Sequence, residues 1–237
     1  MSFSQVNKRI NNVSNRVKRK MYKVSVNLEY NEENNKELLE SSRYYNLEIY
    51  YLYIYLSNEI SNEILNNYLS ELMNNISVNT VILLFPEFPE DYDENQTNKI
   101  LEIIKYCKKI IINDIYNVKI CENISKSLSK LVNVEELDLS ECAIVSVSEL
   151  VKCKNLHKLN LRNTLVKNVS MLGHLNTLDL SYTFVKDVSA LTNVYELNLS
   201  DTQVIDVSAL TNVQKLLLYN LKVDVDVSML KNVKVFK

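Results

Sequence analysis

The sequence contains very little glycine, proline and histidine. One glycine and two prolines among 237 residues leave most turns to Asn, Ser and Asp, which tolerate the backbone angles that turns require. A single glycine also excludes the glycine-rich loops that bind phosphate groups. The two histidines, His157 and His174, have no carboxylate or cysteine at a metal-ligand spacing. We therefore expect both to be solvated surface residues rather than ligands or pH switches.

Cysteine usage, charge and hydropathy bear on the cellular environment. The net charge of −2 argues against a general polyanion-binding protein. The first residues lack the apolar core of a signal peptide, and no stretch of the sequence reaches membrane-spanning length. The four cysteines form no CxxC pair, so we expect core thiols in a cytoplasmic protein, with the nucleus as the alternative location. They are Cys107, Cys121, Cys142 and Cys153.

One short pattern recurs through the second half of the chain. Its clearest copies are residues 175–193 and 194–212, each with an apolar-x-apolar core and a third apolar residue three positions earlier. The second apolar residue of each core, the anchor, recurs at spacings of 22, 19, 19 and 19. The anchors are Leu139, Leu161, Leu180, Leu199 and Leu218. Self-similarity at a fixed period predicts a solenoid, in which each unit buries its apolar face against its neighbours.

The first half contains the same core at a longer spacing. The anchors Ile54, Leu83 and Ile112 lie 29 residues apart, and Leu139 follows 27 residues later. A weaker first unit contains Val24 and Val26, with Val26 placed 28 residues before Ile54. The period-two alternation of each core predicts a short strand with one buried face.

The long units also contain apolar residues at helical spacing, which predicts an amphipathic helix in their return segments. These residues are Ile60, Ile64, Leu65, Tyr68, Leu69 and Leu72; Ile100, Leu101, Ile104 and Cys107; and Ile120, Ile124, Leu128 and Leu131. A unit of 19 residues is too short for a strand, two turns and a helix. Its outer side should therefore be extended or form a single tight turn.

The pattern Leu-x-x-Leu-x-Leu-Ser-x-Thr-x-Val-x-Asp-Val-Ser-x-Leu of the short units resembles the leucine-rich repeats of internalin-type and phosphatase-regulator-type proteins. The phrase Asp-Val-Ser-Ala-Leu is similar to repeat families of protists and large DNA viruses, and the longer units resemble the ribonuclease-inhibitor type. The resemblance covers about residues 22–237. It implies an α/β solenoid, a horseshoe with a parallel sheet on its concave face. The convex side would hold helices in the N-terminal half and extended or 3-10 segments in the C-terminal half.

Three segments follow from these patterns. We predict a basic N-terminal arm or cap at 1–21, long helical repeats at 22–131 and short leucine-rich repeats at 132–237, all in one continuous solenoid. The short units have 22, 19, 19 and 20 residues, followed by a truncated last unit. In the family an Asn usually follows the strand and bonds to neighbouring backbones. That position here holds Cys142, Thr164, Thr183, Thr202 and Leu221. Leu221 cannot make such a bond, so we expect a less regular last unit.

The strand residues that point away from the core are the candidate binding surface, because solenoids of this class bind through this face. Tyr and Arg are enriched in binding hot spots. The candidate binding residues are Arg162, Tyr182, Leu217 and Tyr219, together with Asp138, Asp179 and Asn198. In an earlier unit, Tyr51, Tyr53 and Tyr55 alternate with apolar residues; they fit an exposed binding stripe or packing against a neighbouring segment equally well.

Asp187 and Asp206 recur one unit apart. A cation site is one interpretation of this repetition. The alternative that we favour is a polar turn residue whose carboxylate accepts a hydrogen bond from a nearby backbone amide.

The first 23 residues contain seven basic residues and no acidic one. Val6, Ile10, Val13 and Val17 recur at helical spacing, so we expect a basic amphipathic helix that caps the open end of the core. Membrane-surface contact, nucleic-acid binding and nuclear import are the alternatives. The basic residues are Lys8, Arg9, Arg16, Lys18, Arg19, Lys20 and Lys23.

The sequence stops at Val233–Lys237, where a further strand has barely begun. We expect Val235 and Phe236 to cover the core there; otherwise this edge would allow self-association, or the gene would be a shortened copy. No set of acid–base or nucleophilic groups converges in the repeats, so we predict a non-enzymatic scaffold that binds a protein and no cofactor or metal. The alternatives are a nucleic-acid- or membrane-associated protein that acts through the basic arm, and an adaptor that recruits ubiquitin-ligase or phosphatase machinery.

Overall fold

Each repeat that the structure describes contributes one parallel β-strand. The computed structural model describes residues 22–28, 47–55, 67, 69–71, 73–74, 77–84, 94–113 and 115–237. The chain divides into two units, Met1–Asp91 and Tyr92–Lys237. Strands pair in sequence order within each unit, which confirms the predicted α/β solenoid with one strand per repeat. That both units form one continuous solenoid stays a prediction.

The N-terminal unit contains strands β1 (Tyr22–Leu28), β2 (Leu47–Tyr55) and β3 (Ser77–Leu84), with β2 parallel to both of the others. Residues 67, 69–71 and 73–74 are helical, and Leu69 is fully buried. The rest of the helix predicted from residue 60 to 72 lies outside the described residues. The tyrosines at 51, 53 and 55 lie in β2, but their side chains are also outside the described part.

The register of the first strand differs from the prediction. Val26 pairs with Leu52, and the partner of the anchor Ile54 is Leu28 rather than Val26. The register shifts between Val24 and Ser25. Because side chains alternate with period two, a slip of two residues keeps the same face toward the core. The apolar pattern alone therefore could not distinguish the two registers.

The C-terminal unit begins with two helix–strand segments. Helix α1 (Glu94–Ile104) precedes β4 (Lys109–Ile112), and helix α2 (Val118–Ser127) precedes β5 (Glu136–Asp138). The predicted helical residues are buried here, with Ile100, Leu101 and Ile104 on α1 and Ile120 and Ile124 on α2. The N-cap residue of α2, Asn117, accepts a hydrogen bond from the backbone amide of Ile120 at 3.1 Å.

The short units continue the sheet with strands of three residues. These are β6 (Lys158–Asn160), β7 (Thr177–Asp179), β8 (Glu196–Asn198), β9 (Lys215–Leu217) and β10 (Lys234–Phe236). Their return segments contain only a single 3-10 turn, Ser148–Lys152 or Ser170–Leu172, or a simple turn. The predicted extended or 3-10 outer side is therefore confirmed.

Rows of apolar side chains, one per unit, form the core. The anchors Leu139, Leu161, Leu180, Leu199 and Leu218 are at most 4% exposed. Each such side chain contributes roughly 1.5–3 kcal/mol by leaving water. All four cysteines are buried, as predicted.

Four residues after the end of each of strands β6, β7 and β8, a side chain hydrogen-bonds to a backbone carbonyl oxygen. The hydroxyl groups of Thr164, Thr183 and Thr202 donate to the carbonyl oxygen three residues earlier, at 2.6–2.8 Å. The Cys142 thiol donates instead to the carbonyl of Ile112 in the preceding unit, at 3.3 Å. Leu221 is only half-buried and is followed by the exposed Val223, so the last full unit is less regular, as expected.

The single glycine lies where two units approach closely. A Cβ atom at Gly173 would be 2.2 Å from the carbonyl oxygen of Ala190 in the next unit. Its φ of −65° is one that any residue adopts, so close approach rather than backbone angle explains the glycine.

Candidate functional site

The exposed side of the strands in the C-terminal unit forms one surface, here called the strand face. In β5 to β9 the middle residue of each strand is buried, and the first and third residues are half-buried or exposed. Parallel pairing in register aligns these residues into rows across neighbouring units. The structure therefore brings the predicted binding residues Asp138, Asp179, Asn198 and Leu217 into one row.

Most of that row is already hydrogen-bonded internally. The side-chain amide of Asn160 donates to Asp138, and that of Asn198 donates to Asp179, both at 3.1 Å. Asp138, Asp179 and Asn198 also accept the backbone amide two residues later, at 2.8–3.1 Å. These three side chains hold the turns at the strand ends, and a direct role in binding stays a prediction.

Charged residues occupy the first position of the strands. Glu136 lies between Lys109 at 3.2 Å and Lys158 at 3.8 Å. Farther along, Lys215 pairs with Glu196. These residues are partly exposed, and such pairs contribute at most about 1 kcal/mol each. A depression of about 230 Å³ lies beside Glu136 and is lined by Leu137, Asp138 and Asn160 as well as the two lysines.

The next row contains three small residues and two large ones. Ser140, Ser181 and Ser200 are buried, whereas Arg162 and Tyr219 at equivalent positions are exposed. The Ser200 hydroxyl accepts a hydrogen bond from the backbone amide of Tyr219 at 3.3 Å. Two large side chains therefore project from a row in which the other residues are small, buried serines.

The Arg162 side chain reaches across to the next unit. Its Nη1 lies 3.4 Å from the Ser181 hydroxyl oxygen, and its guanidinium carbon lies 4.2 Å from the centroid of the Tyr182 ring. On the other side, Nε lies 3.7 Å from a carboxylate oxygen of Glu141. Contacts from the two neighbouring units thus fix the orientation of a cation whose side chain is 45% exposed.

The residue that directly follows each member of this row of serines, arginine and tyrosine has a left-handed backbone conformation. The φ angles of Glu141, Asn163, Tyr182, Asp201 and Asn220 lie between 51° and 59°. Asn and Asp tolerate this conformation, but a bulky aromatic residue adopts it at a cost. The side chain of Asn163 donates to Glu141, and that of Asn220 donates to Asp201, whereas the Tyr182 ring stacks against Arg162. The sequence analysis missed this row, although Asn or Asp at three equivalent positions was a usable signal.

The polar row ends in apolar residues toward the last strands. Leu217 follows Asn198 in the row and is half-buried, and Phe236 follows Leu217. Tyr219 beside them is 42% exposed. Lys234 Nζ lies 5.0 Å from the Phe236 ring centroid. Val235 and Phe236 are half-buried.

The turns after the strands confirm the polar-turn interpretation of Asp187 and Asp206. Their carboxylates accept the backbone amides of Ser189 and Ser208 at 2.9 and 2.8 Å. These backbone hydrogen bonds lower the pKa of both carboxyl groups. Asp226 makes the same bond to Ser228 in the next unit at 2.8 Å, although the sequence analysis did not single it out.

The two histidines and the four cysteines differ in their exposure to solvent. His157 and His174 are exposed, as predicted. Burial raises the pKa of the Cys107 thiol to about 12 and that of Cys153 to about 11. A hydrogen bond with Cys142 lowers the pKa of Cys121. A reducing location for these thiols stays a prediction.

The described part of the chain contains neither a candidate metal site nor a candidate membrane-spanning helix. No group of three or more His, Cys, Asp or Glu residues there could hold a metal ion. None of the helices there has the length and apolar character needed to cross a bilayer. The predicted basic arm, with Lys8, Arg9, Arg16, Lys18, Arg19 and Lys20, lies outside the described residues.

Comparisons with known proteins agree with this architecture. The family model for leucine-rich repeats in two copies matches residues 132–174. No curated protein matches the sequence.

Several solved structures are similar to the chain. An internalin of Listeria monocytogenes is 14% identical over 79% of this chain, with a TM-score of 0.53. A chain of the Toll–Spatzle complex of Drosophila is 14% identical over 86%, with a TM-score of 0.51. The ectodomain of the Arabidopsis receptor kinase HAESA, in complex with a peptide hormone, is 12% identical over 91%, with a TM-score of 0.54. This chain spans 53%, 31% and 40% of those chains, respectively. At such identities the likeness shows the fold alone, that of leucine-rich repeats.

Proposed function

We propose that this chain, which contains leucine-rich repeats, is a non-enzymatic scaffold that binds a protein partner through the strand face. The main supporting observation is the group of three large exposed side chains, Arg162, Tyr182 and Tyr219, on a surface whose other polar groups are largely bonded to one another. Arg and Tyr at fixed positions on a rigid surface are typical of binding hot spots.

The conformation of Tyr182 supports the same surface. A left-handed φ of 59° is costly for an aromatic residue, and neighbouring units use Asn or Asp at this position. Strained residues that the surrounding structure maintains are often functional. Arg162 also loses little additional freedom on binding, because its contacts with Glu141, Ser181 and Tyr182 already orient it.

The size of the surface fits a protein ligand. Strands β4 to β10 at a spacing of about 4.8 Å cover roughly 29 Å, comparable with the width of an interface that buries about 800 Å² per partner. Two of the structurally similar proteins, the Toll complex and HAESA, are in complex with a protein or a peptide ligand. The described residues offer no metal-binding cluster, and the two exposed histidines contact backbone carbonyl oxygens, those of Asn155 and Met171, which supports a non-enzymatic role.

Selection of peptides from a displayed library on the immobilised wild-type protein tests this proposal. Selected peptides are then tested against a variant with Arg162→Ala and Tyr219→Ala. We expect most of them to lose binding to this variant and to retain it with Lys154→Ala plus Tyr195→Ala, which likewise removes one cation and one tyrosine, from exposed positions outside the strands. Peptides that bind both variants equally would contradict the proposal.

A further inference from the structure

A shallow depression lies on the loops that follow strands β6, β7 and β8, at the edge of the short units. Its volume is about 400 Å³, and Lys167, Phe184, Lys186, Asp187 and Gln203 line it. We call it the loop-edge site. We propose that the loop-edge site binds an acidic peptide segment, with a carboxylate at the two lysines and an aliphatic side chain on Phe184.

The backbone of the site is fixed by the core beneath it. Val166, Val185 and Val204 occupy equivalent positions in three successive units and are at most 1% exposed. The residues on either side of each valine therefore face outward. Backbone hydrogen bonds from Leu165 to Ile144 at 2.9 Å, and from Gln203 to Val185 at 3.1 Å, connect adjacent units along this edge. The lining side chains thus project from a preformed framework.

The site has an exposed apolar centre. Phe184, the one apolar residue that lines the depression, is 43% exposed, and Leu165 at the equivalent position of the preceding unit is 39% exposed. Single exposed apolar residues are ordinary on protein surfaces, but two at equivalent positions of adjacent units lie side by side and form a small apolar patch. An aliphatic side chain of a ligand would remove part of this patch from water.

Neither cation of the site has an ionic partner among the described residues. Lys167 and Lys186 occupy equivalent positions one unit apart, and no ion pair in the described part of the chain involves either. Lys158 and Lys215 on the strand face, by contrast, are paired with glutamates. Neighbouring units stand about 5 Å apart, so flexible lysine stems allow one carboxylate to contact both ammonium groups. Such a contact would also offset the repulsion between the two cations.

The one carboxylate of the site is already engaged. Asp187 accepts the backbone amide of Ser189 at 2.9 Å, and this bond lowers its pKa, so it stays ionised at neutral pH. Two lysines against one aspartate leave a net charge of +1 among the lining residues. Charge and exposed apolar area together favour a ligand that is acidic and aliphatic rather than one that is only acidic.

Titration of the ¹⁵N-labelled 237-residue chain with a capped pentapeptide of alternating glutamate and leucine tests this inference by NMR. We expect amide shifts centred on Phe184, Lys186 and Gln203, and a Kd below about 1 mM. Lys167→Gln plus Lys186→Gln should weaken binding about five- to tenfold, because each exposed charge pair contributes a few-fold. Raising NaCl from about 50 to 500 mM should weaken binding similarly.

Matched controls separate this site from nonspecific attraction. Lys154→Gln plus Lys231→Gln makes the same change in net charge elsewhere on the surface and should leave Kd unchanged. A glutamine–leucine peptide and a glutamate–serine peptide should each bind at least about fivefold more weakly than the glutamate–leucine peptide. The inference would be overturned if either control peptide bound as tightly as the glutamate–leucine peptide. Equal loss of affinity in both lysine variants, or amide shifts located elsewhere, would also overturn it. The strand-face substitutions should not affect this binding.

Discussion

The guanidinium group of Arg162 stacks on the ring of Tyr182, with 4.2 Å between the guanidinium carbon and the ring centroid. The two residues belong to neighbouring units, and Tyr182 has a left-handed backbone with a φ of 59°. An exposed cation–π contact contributes about 0.5–1 kcal/mol, and the backbone conformation costs a similar amount or more. The pair is thus close to neutral for stability, while each side chain holds the other in place.

Tyr182→Asn tests this balance. Asn tolerates the left-handed conformation, so the relief of strain should offset the lost stacking, and the free energy of unfolding should change by less than about 1 kcal/mol. Binding of peptides selected on the strand face should weaken. Denaturant titration and a binding measurement on the same samples check both. Asp201→Asn, at the equivalent position of the next unit, should change neither quantity.

Leu199→Ala and Leu217→Ala test the alternation of buried and exposed positions in the strands. Leu199 is fully buried, so its truncation should cost roughly 2–5 kcal/mol of unfolding free energy. Leu217 is half-buried on the strand face, and its truncation should cost less than about 1 kcal/mol. Urea denaturation of both variants checks the contrast. Similar costs would mean that the strand faces are wrongly assigned.

Gly173→Ala tests the close approach of two units. The added Cβ would lie 2.2 Å from the carbonyl oxygen of Ala190, so the backbone must shift. We expect a loss of roughly 1–3 kcal/mol of unfolding free energy, as for other overpacked sites. Thr192→Ala, at the equivalent position of the next unit, is the control and should be nearly neutral. A neutral Gly173→Ala would show that the units are not packed this closely.

Acid denaturation tests the turn carboxylates. Backbone amides lower the pKa of Asp187 and Asp206 in the folded state, so their contribution to stability is present above the unfolded pKa of about 3.9. It is lost as the pH falls through the lower, folded pKa. The double variant Asp187→Asn plus Asp206→Asn keeps an acceptor, as Asn168 does for Ser170 at 3.1 Å. Its stability should therefore fall less than that of the wild type between pH 5 and pH 2; parallel curves would contradict this assignment.

The repeat framework could be predicted from the sequence because its cause is local and repeated. Each anchor leucine lies in an apolar-x-apolar core, and burial of Leu161, Leu180 and Leu199 follows directly from that pattern. Unit length also predicted correctly that helices precede β4 and β5 in the long units and that single turns follow β6 in the short ones. The β1 register could not be predicted, because Val26 and Leu28 share the same alternation.

The details of the binding surfaces depend on contacts between units, which a single repeat does not encode. The sequence identified Arg162 and Tyr182 as exposed, but not that one stacks on the other or that Tyr182 is strained. The loop-edge site was missed because Lys167 and Lys186 become neighbours only when their units stack. Gly173 likewise has its explanation in the following unit.

The affinity of one selected peptide for two matched double variants tests the central claim most directly. Isothermal titration calorimetry would compare Arg162→Ala plus Tyr219→Ala with Lys154→Ala plus Tyr195→Ala, after circular dichroism has shown that both are folded. A strand-face interface predicts a rise in Kd of at least about tenfold for the first variant and less than about twofold for the second. An unchanged Kd for the first variant would contradict the account.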